Sequence, residues 1–124
     1  MTNITKVIRD GRVGVLYSPG YGAGFYTWGA PLKAIFDPFI IELVEKKEEL
    51  ASSIGYKAYE NEEYINTIKE IEIYVERTYG EDVYTGGVED LEVAWVDEGQ
   101  QFVIEEYDGA ETIVLIQDLD RITA

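Results

Sequence analysis

The amino-acid sequence predicts an α+β fold: a single compact domain over residues 1–124, with an N-terminal β-hairpin, two helices and a C-terminal three-stranded antiparallel meander. Three observations carry this. Two β-type runs flank an Asp-Gly pair near the start, two capped stretches in the middle repeat apolar residues every three or four positions, and from residue 88 the period drops to two. Strands and helices are grouped along the chain instead of alternating, which is the α+β pattern and not that of a parallel sheet.

Residues 4–9 (ITKVIR) and 12–17 (RVGVLY) are the hairpin strands, joined by Asp10-Gly11, a pair suited to a tight two-residue turn. The next helix lies in "FDPFIIELVEKKEELASSIG", with Asp37 as N-cap, Pro38 at the first helical position and Gly55 as its stop. Ile40, Leu43, Val44, Lys47 and Leu50 form its buried stripe, in which Lys47 is the one charged member. A second helix is predicted over 62–79. Asn61 caps it, Glu62 and Glu63 occupy the electropositive first turn, Arg77 sits near the end and Gly80 follows. Tyr64, Ile68, Ile71, Val75 and Tyr79 share one face, which serves a core or a partner.

In the meander, Leu91, Val93 and Trp95 alternate with less apolar neighbours, and Phe102 and Ile104 begin a second run. Residues 97–100 (DEGQ) and Asp108-Gly109 are the turns, and "ETIVLI" is the last strand.

Composition narrows the chemistry. The chain has no histidine, which removes His-based triads and His-assisted base catalysis, and no cysteine, which together with that removes the usual zinc sites. Its 25 Asp and Glu residues leave carboxylate chemistry with a hard cation such as magnesium, but no twelve-residue calcium loop is present. The sequence is therefore not read as an enzyme, and no catalytic residue, metal site or cofactor is assigned. A net charge of −15, with ten Lys and Arg spread along the chain, argues against a nucleic-acid partner. The same charge suits either simple solubility or an acidic decoy that imitates DNA. No apolar run approaches the roughly 20 residues that span a bilayer, and the first residues lack a signal-peptide core, so the expectation is a cytoplasmic protein with no membrane partner.

The stretch "SPGYGAGFYTWG", residues 18–29, concentrates glycine and aromatic rings after a strand. Its spacing is neither G-x-G-x-x-G nor the nucleoside-triphosphate pattern, and no Lys-Ser or Lys-Thr pair follows. Two uses stay open. The glycines can supply positive φ angles for a packed loop with rings filling the space around it. Alternatively, Gly22 and Gly24 present backbone donors to an anion while Phe25 and Trp28 stack on a base. In "IEEYDGAE", Glu106, Asp108 and Glu111 surround a tight turn, where carboxylates can accept from ribose hydroxyls or an exocyclic amine, or form an ordinary acidic turn, and Tyr107 joins Glu106 and Glu111 as a candidate ligand residue. Phosphates would need cations, for which Arg9, Arg77 and Arg121 are the candidates, with Arg12, Lys33 and Lys57 in reserve. With so few cations, a cleft assembled between subunits is a natural solution.

"SPGYGAGFYTW", "FDP", "YTGGVEDLEVAWVDEG" and "FVIEEYDGAE" together resemble small phage and prophage proteins, and the pattern is similar to the Thoeris anti-defence signal-sponge family of phages. The resemblance touches residues 7–38 and 83–112. It implies a protein that sequesters a cyclic ADP-ribose isomer without cleaving it, so that the host effector is not activated. It also implies a homo-oligomer, a dimer or a trimer of dimers, in the cytoplasm of an infected bacterial cell. The alternatives are an acidic DNA-mimic decoy that inhibits a host nucleic-acid enzyme by protein contact, and a carboxylate-metal hydrolase acting on nucleotides.

Overall fold

The computed structural model describes residues 4–118. The α+β class holds, in the expected chain order of hairpin, two helices and three strands. Strand β1 (Ile8–Arg9) is short, and β2 (Arg12–Tyr17) runs antiparallel to it through a turn at Asp10 and Gly11, both at positive φ as the turn type requires. Helices α1 (Pro38–Ile54) and α2 (Glu62–Tyr79) come next, and β3 (Glu92–Asp97), β4 (Phe102–Tyr107) and β5 (Ala110–Leu115) close the domain.

Strand pairing departs from a continuous meander. β3 lies along β2, with Val13 opposite Val96 and Leu16 opposite Val93, giving a sheet in the order β1-β2-β3. β4 and β5 form a separate two-stranded sheet around Asp108-Gly109. Burial accompanies this pairing: Val13, Val15 and Leu16 in β2 are buried, and β3 pairs with β2 along its whole length, with Val96 buried and Val93, Ala94 and Trp95 half-buried. β4 is exposed over much of its length and pairs only with its hairpin neighbour.

Both helix starts are capped as the sequence predicts. The Asp37 carboxylate accepts from the Phe39 and Ile40 amides, and the Asn61 side chain from the Tyr64 amide. Ile40, Ile41 and Val44 of α1, which packs on both the sheet and α2, share one buried core with Ile71 and Val75 of α2, so the α2 stripe serves the core. Gly14 allows this layer to close, since a Cβ there would stand 3.1 Å from the Trp95 ring and 3.3 Å from Ile41.

Lys47, the charged member of the α1 stripe, is only 5% exposed. Its ammonium donates to the Glu89 carbonyl at 2.7 Å and to the Leu91 carbonyl at 2.9 Å, tying α1 to the turn that leads into β3. Burial pushes its pKa down, while Glu48, Asp90, Glu92 and Glu89 pull it back up. A second buried polar link joins the helices. The Asp37 oxygen not used for capping accepts from both the Tyr74 and Tyr79 hydroxyls. Burial first, and then that carboxylate, hold both phenols above their ordinary pKa, Tyr79 most of all.

Candidate functional site

The glycine-aromatic loop leaves β2 at Tyr17 and folds back on itself through a 3-10 turn at Tyr26–Trp28. At its centre stands Glu111, a β5 side chain only 2% exposed. Glu111 Oε1 accepts from the Ser18 amide at 2.8 Å. Oε2 accepts from the Phe25 amide at 3.0 Å, the Thr27 amide at 2.8 Å and the Thr27 hydroxyl at 2.7 Å. The Ser18 hydroxyl, also buried, donates to the Ala23 carbonyl. A loop rich in backbone donors needs an anion, and this one takes it from its own chain.

The expected ligand residues divide accordingly. Gly22, Gly24, Phe25, Trp28, Glu106, Tyr107 and Glu111 come together where the loop meets the β4–β5 turn. Phe25, proposed above as a stacking ring, is fully buried in the core, where its burial contributes about 1.5–3 kcal/mol. The Glu111 carboxylate, proposed as a ribose acceptor, is enclosed and saturated by the loop. The Gly22 amide donates to the Asp108 carbonyl, so it too is engaged. Gly109, at φ +85, presses on the loop so closely that a Cβ would clash with the Ala23 amide nitrogen. A Cβ on Gly24 would meet the Trp28 ring at 2.7 Å. The rings that reach solvent are Trp28, Tyr107 and, from the same loop, Tyr21 and Tyr26.

The cations do not gather here. Arg9 grips Glu45 of α1 with two hydrogen bonds of 2.6 and 2.9 Å and lies 4.9 Å from the Trp95 ring centre. The Glu45 bond raises its pKa further. Arg77 is exposed in the last turn of α2, Arg12 pairs with Asp97 at 3.3 Å, and Arg121 lies outside the described residues. Neither the loop nor the β4–β5 turn contributes a Lys or Arg: the chain has none between Arg12 and Lys33, nor between Arg77 and Arg121.

A concave surface opens beside the loop. This groove, of about 920 Å3, is lined by Tyr26, Ile35, Phe36 and Phe102 among others. Gln100 and Gln101 bring amides to its rim. Lys6 brings an ammonium, held 5.0 Å from the Phe36 ring centre. The Phe36 and Phe102 rings meet edge to face with centroids 6.4 Å apart. The volume falls within the usual range of small-molecule sites, roughly 300–1,000 Å3. Sequence reasoning missed Lys6, Phe36 and the two glutamines. Lys6 sits in a β-type run, and nothing local marks it as facing Phe36 and residues 100–104 across the fold.

Among the described residues, no three carboxylates converge to hold a metal ion, and no helix is long and apolar enough to cross a membrane. The chain matches no family model, no curated protein and no solved structure.

Proposed function

We propose that the protein binds and holds a cyclic nucleotide signal without cleaving it, with a cyclic ADP-ribose isomer as cargo, and so keeps that signal from a host effector during phage infection. The observation that carries the reading is the groove beside the loop, which combines the rings of Tyr26 and Phe102, two amides and one ammonium in a chain that is otherwise strongly acidic. A base stacking on Tyr26 or Phe102 supplies about 1–3 kcal/mol. The Gln100 and Gln101 amides both donate and accept, as a base edge requires, and Lys6 offers a point charge to phosphate. The chain has no histidine to act as a general base on the captured ligand.

Capture that starves an effector needs nanomolar affinity, about −12 kcal/mol. One stacked base and one ammonium in an open groove fall short of that. A second subunit covering the groove would enclose the ligand and add cations, so a homo-oligomer is part of the proposal. The test is calorimetry with cyclic ADP-ribose isomers, followed by mass spectrometry of the ligand released on denaturation. Tight binding and intact release are expected, with Lys6→Met and Tyr26→Ala each weakening binding at least about tenfold, the equivalent of 1.4 kcal/mol. Absence of binding to any isomer, or release of a cleaved product, overturns the reading.

A further inference from the structure

The loop turns a second surface outward, on the side where Trp28 meets the β4–β5 turn. The Trp28 ring packs against Tyr84 with centroids 5.0 Å apart, and its indole N–H donates to Glu106 Oε2 at 3.2 Å. The other Glu106 oxygen accepts from the Gly109 amide at 3.3 Å, which holds the carboxylate in place at the rim. Tyr21 is brought to the same corner by the bond from the adjoining Gly22 amide to the Asp108 carbonyl, and Tyr107 precedes that turn. Tyr21 and Tyr107 are 79% and 74% exposed, and Tyr84 and Trp28 are 43% and 37% exposed. Tyr21 and Tyr107 are almost wholly in solvent, and Trp28 and Tyr84 each leave more than a third of their surface there.

The charge around these rings has one sign. Every segment that builds the corner belongs to the two stretches without Lys or Arg, while Glu106 touches Trp28 and Asp108 follows it in the adjoining turn. Exposed tryptophan and tyrosine are the residue types that dominate protein-binding hot spots. Flanked by carboxylates, their faces favour a cationic visitor, and a guanidinium can stack on a ring while hydrogen-bonding a neighbouring carboxylate. From this juxtaposition we infer that the Trp28–Tyr84 corner is a docking surface for an arginine-bearing segment of a basic protein partner. The surface is separate from the groove, so this partner and a small ligand can be held at once. Arginine stacks on the exposed ring faces and pairs with Glu106, and the surrounding negative field raises the rate of encounter.

The experiment is a titration of the 15N-labelled full chain with an octa-arginine peptide, followed by NMR. The Trp28 indole signal and the amides of residues 21–28 and 106–109 should shift together and saturate. Trp28→Ala and Tyr84→Ala should each weaken the peptide at least about tenfold while keeping the net charge, and Glu42→Gln with Glu70→Gln, which removes charge from exposed positions on α1 and α2, should change it less than about twofold. Two variants guard against one of them failing to fold. Shifts spread over the amides of α1 and α2, or Trp28 and Tyr84 variants that bind the peptide as tightly as the parent, would mean that net charge alone attracts the peptide and would overturn the inference. Nucleotide binding in the groove is measured separately and is unaffected by either outcome.

Discussion

Glu111→Gln isolates the bond pattern that closes the glycine-aromatic loop, because it keeps the shape of the side chain and changes one acceptor into a donor. In the native protein the carboxylate accepts from Ser18, Phe25 and Thr27 amides and from the Thr27 hydroxyl. The best placement of the amide oxygen is at the Oε2 position, where it keeps three of these partners. The new NH2 group then faces the Ser18 N–H, donor against donor. Each retained bond falls from the charged range of about 1.5–3 kcal/mol to the neutral range of about 0.5–1.5, and the orphaned Ser18 amide costs about 1–3 more. Relief from burying a charge offsets part of this, leaving a net loss of about 2–4 kcal/mol. That is a large share of the roughly 5–15 kcal/mol by which a domain is stable. Urea unfolding reads the loss directly. Hydrogen exchange reads its location: the Ser18, Phe25 and Thr27 amides should be slow in the parent and much faster in the variant. A variant within about 0.5 kcal/mol of the parent, with these amides still protected, would show that the loop is held by ring packing and not by the carboxylate.

Other perturbations test the same framework. Gly109→Ala should cost about 3 kcal/mol in urea unfolding, since its φ is positive and its Cβ meets backbone, whereas Gly22→Ala, at φ +82 with open space around it, should cost about 1; equal losses would mean that the turn does not press on the loop. Lys47→Met keeps the buried stem but leaves the Glu89 and Leu91 carbonyls without a donor, so about 2–4 kcal/mol should be lost, and a gain would mean that burying the ammonium costs more than its two bonds contribute. Alkaline pH should destabilise the protein. In the unfolded chain Tyr74 and Tyr79 ionise near their ordinary pKa of about 10, while in the folded protein both are held higher, so the unfolded state sheds protons first and stability falls as pH rises through that value. Lys47, with its pKa lowered, acts in the opposite sense below the ordinary lysine value, but Tyr79 carries the larger shift. Tyr79→Phe should therefore flatten the fall in urea midpoint between about pH 9 and 11, and a parent whose midpoint rises across that range would contradict the assignment.

The helix ends and the hairpin turns were legible in the sequence because their signals are local, whereas the first strand, expected over residues 4–9, pairs only at Ile8–Arg9. Asp37-Pro38, Asn61, Gly55 and Gly80 act within one turn of the helix ends they define, and Asp10-Gly11 and Asp108-Gly109 determine their turns alone. The partner of β3 was not legible, since alternation says which face of a strand is apolar but not which strand lies beside it. The candidate site suffered from the same limit. "SPGYGAGFYTWG" announces a set of backbone donors, yet nothing nearby announces their acceptor, which lies 84–93 residues further on in a strand where it reads as part of an acidic turn. Lys47 did leave a trace, as a charge at a stripe position that wants an apolar residue, and such a conflict between pattern and residue marks a buried polar link.

The distance along the chain between the loop and Glu111 has a consequence for synthesis. Residues 18–29 leave the ribosome long before their acceptor, so during translation the segment has its rings and backbone donors unattended while the helices and β3 are being made. It can reach its final conformation only when the β4–β5 hairpin has emerged and placed Glu111 beneath it. Contacts of such long range form late in folding. A chain truncated before residue 110 should retain much of the helical core yet expose Phe25, and so be sensitive to protease within residues 18–29. The β4–β5 strands thus act as the clasp that completes a segment made about ninety residues earlier.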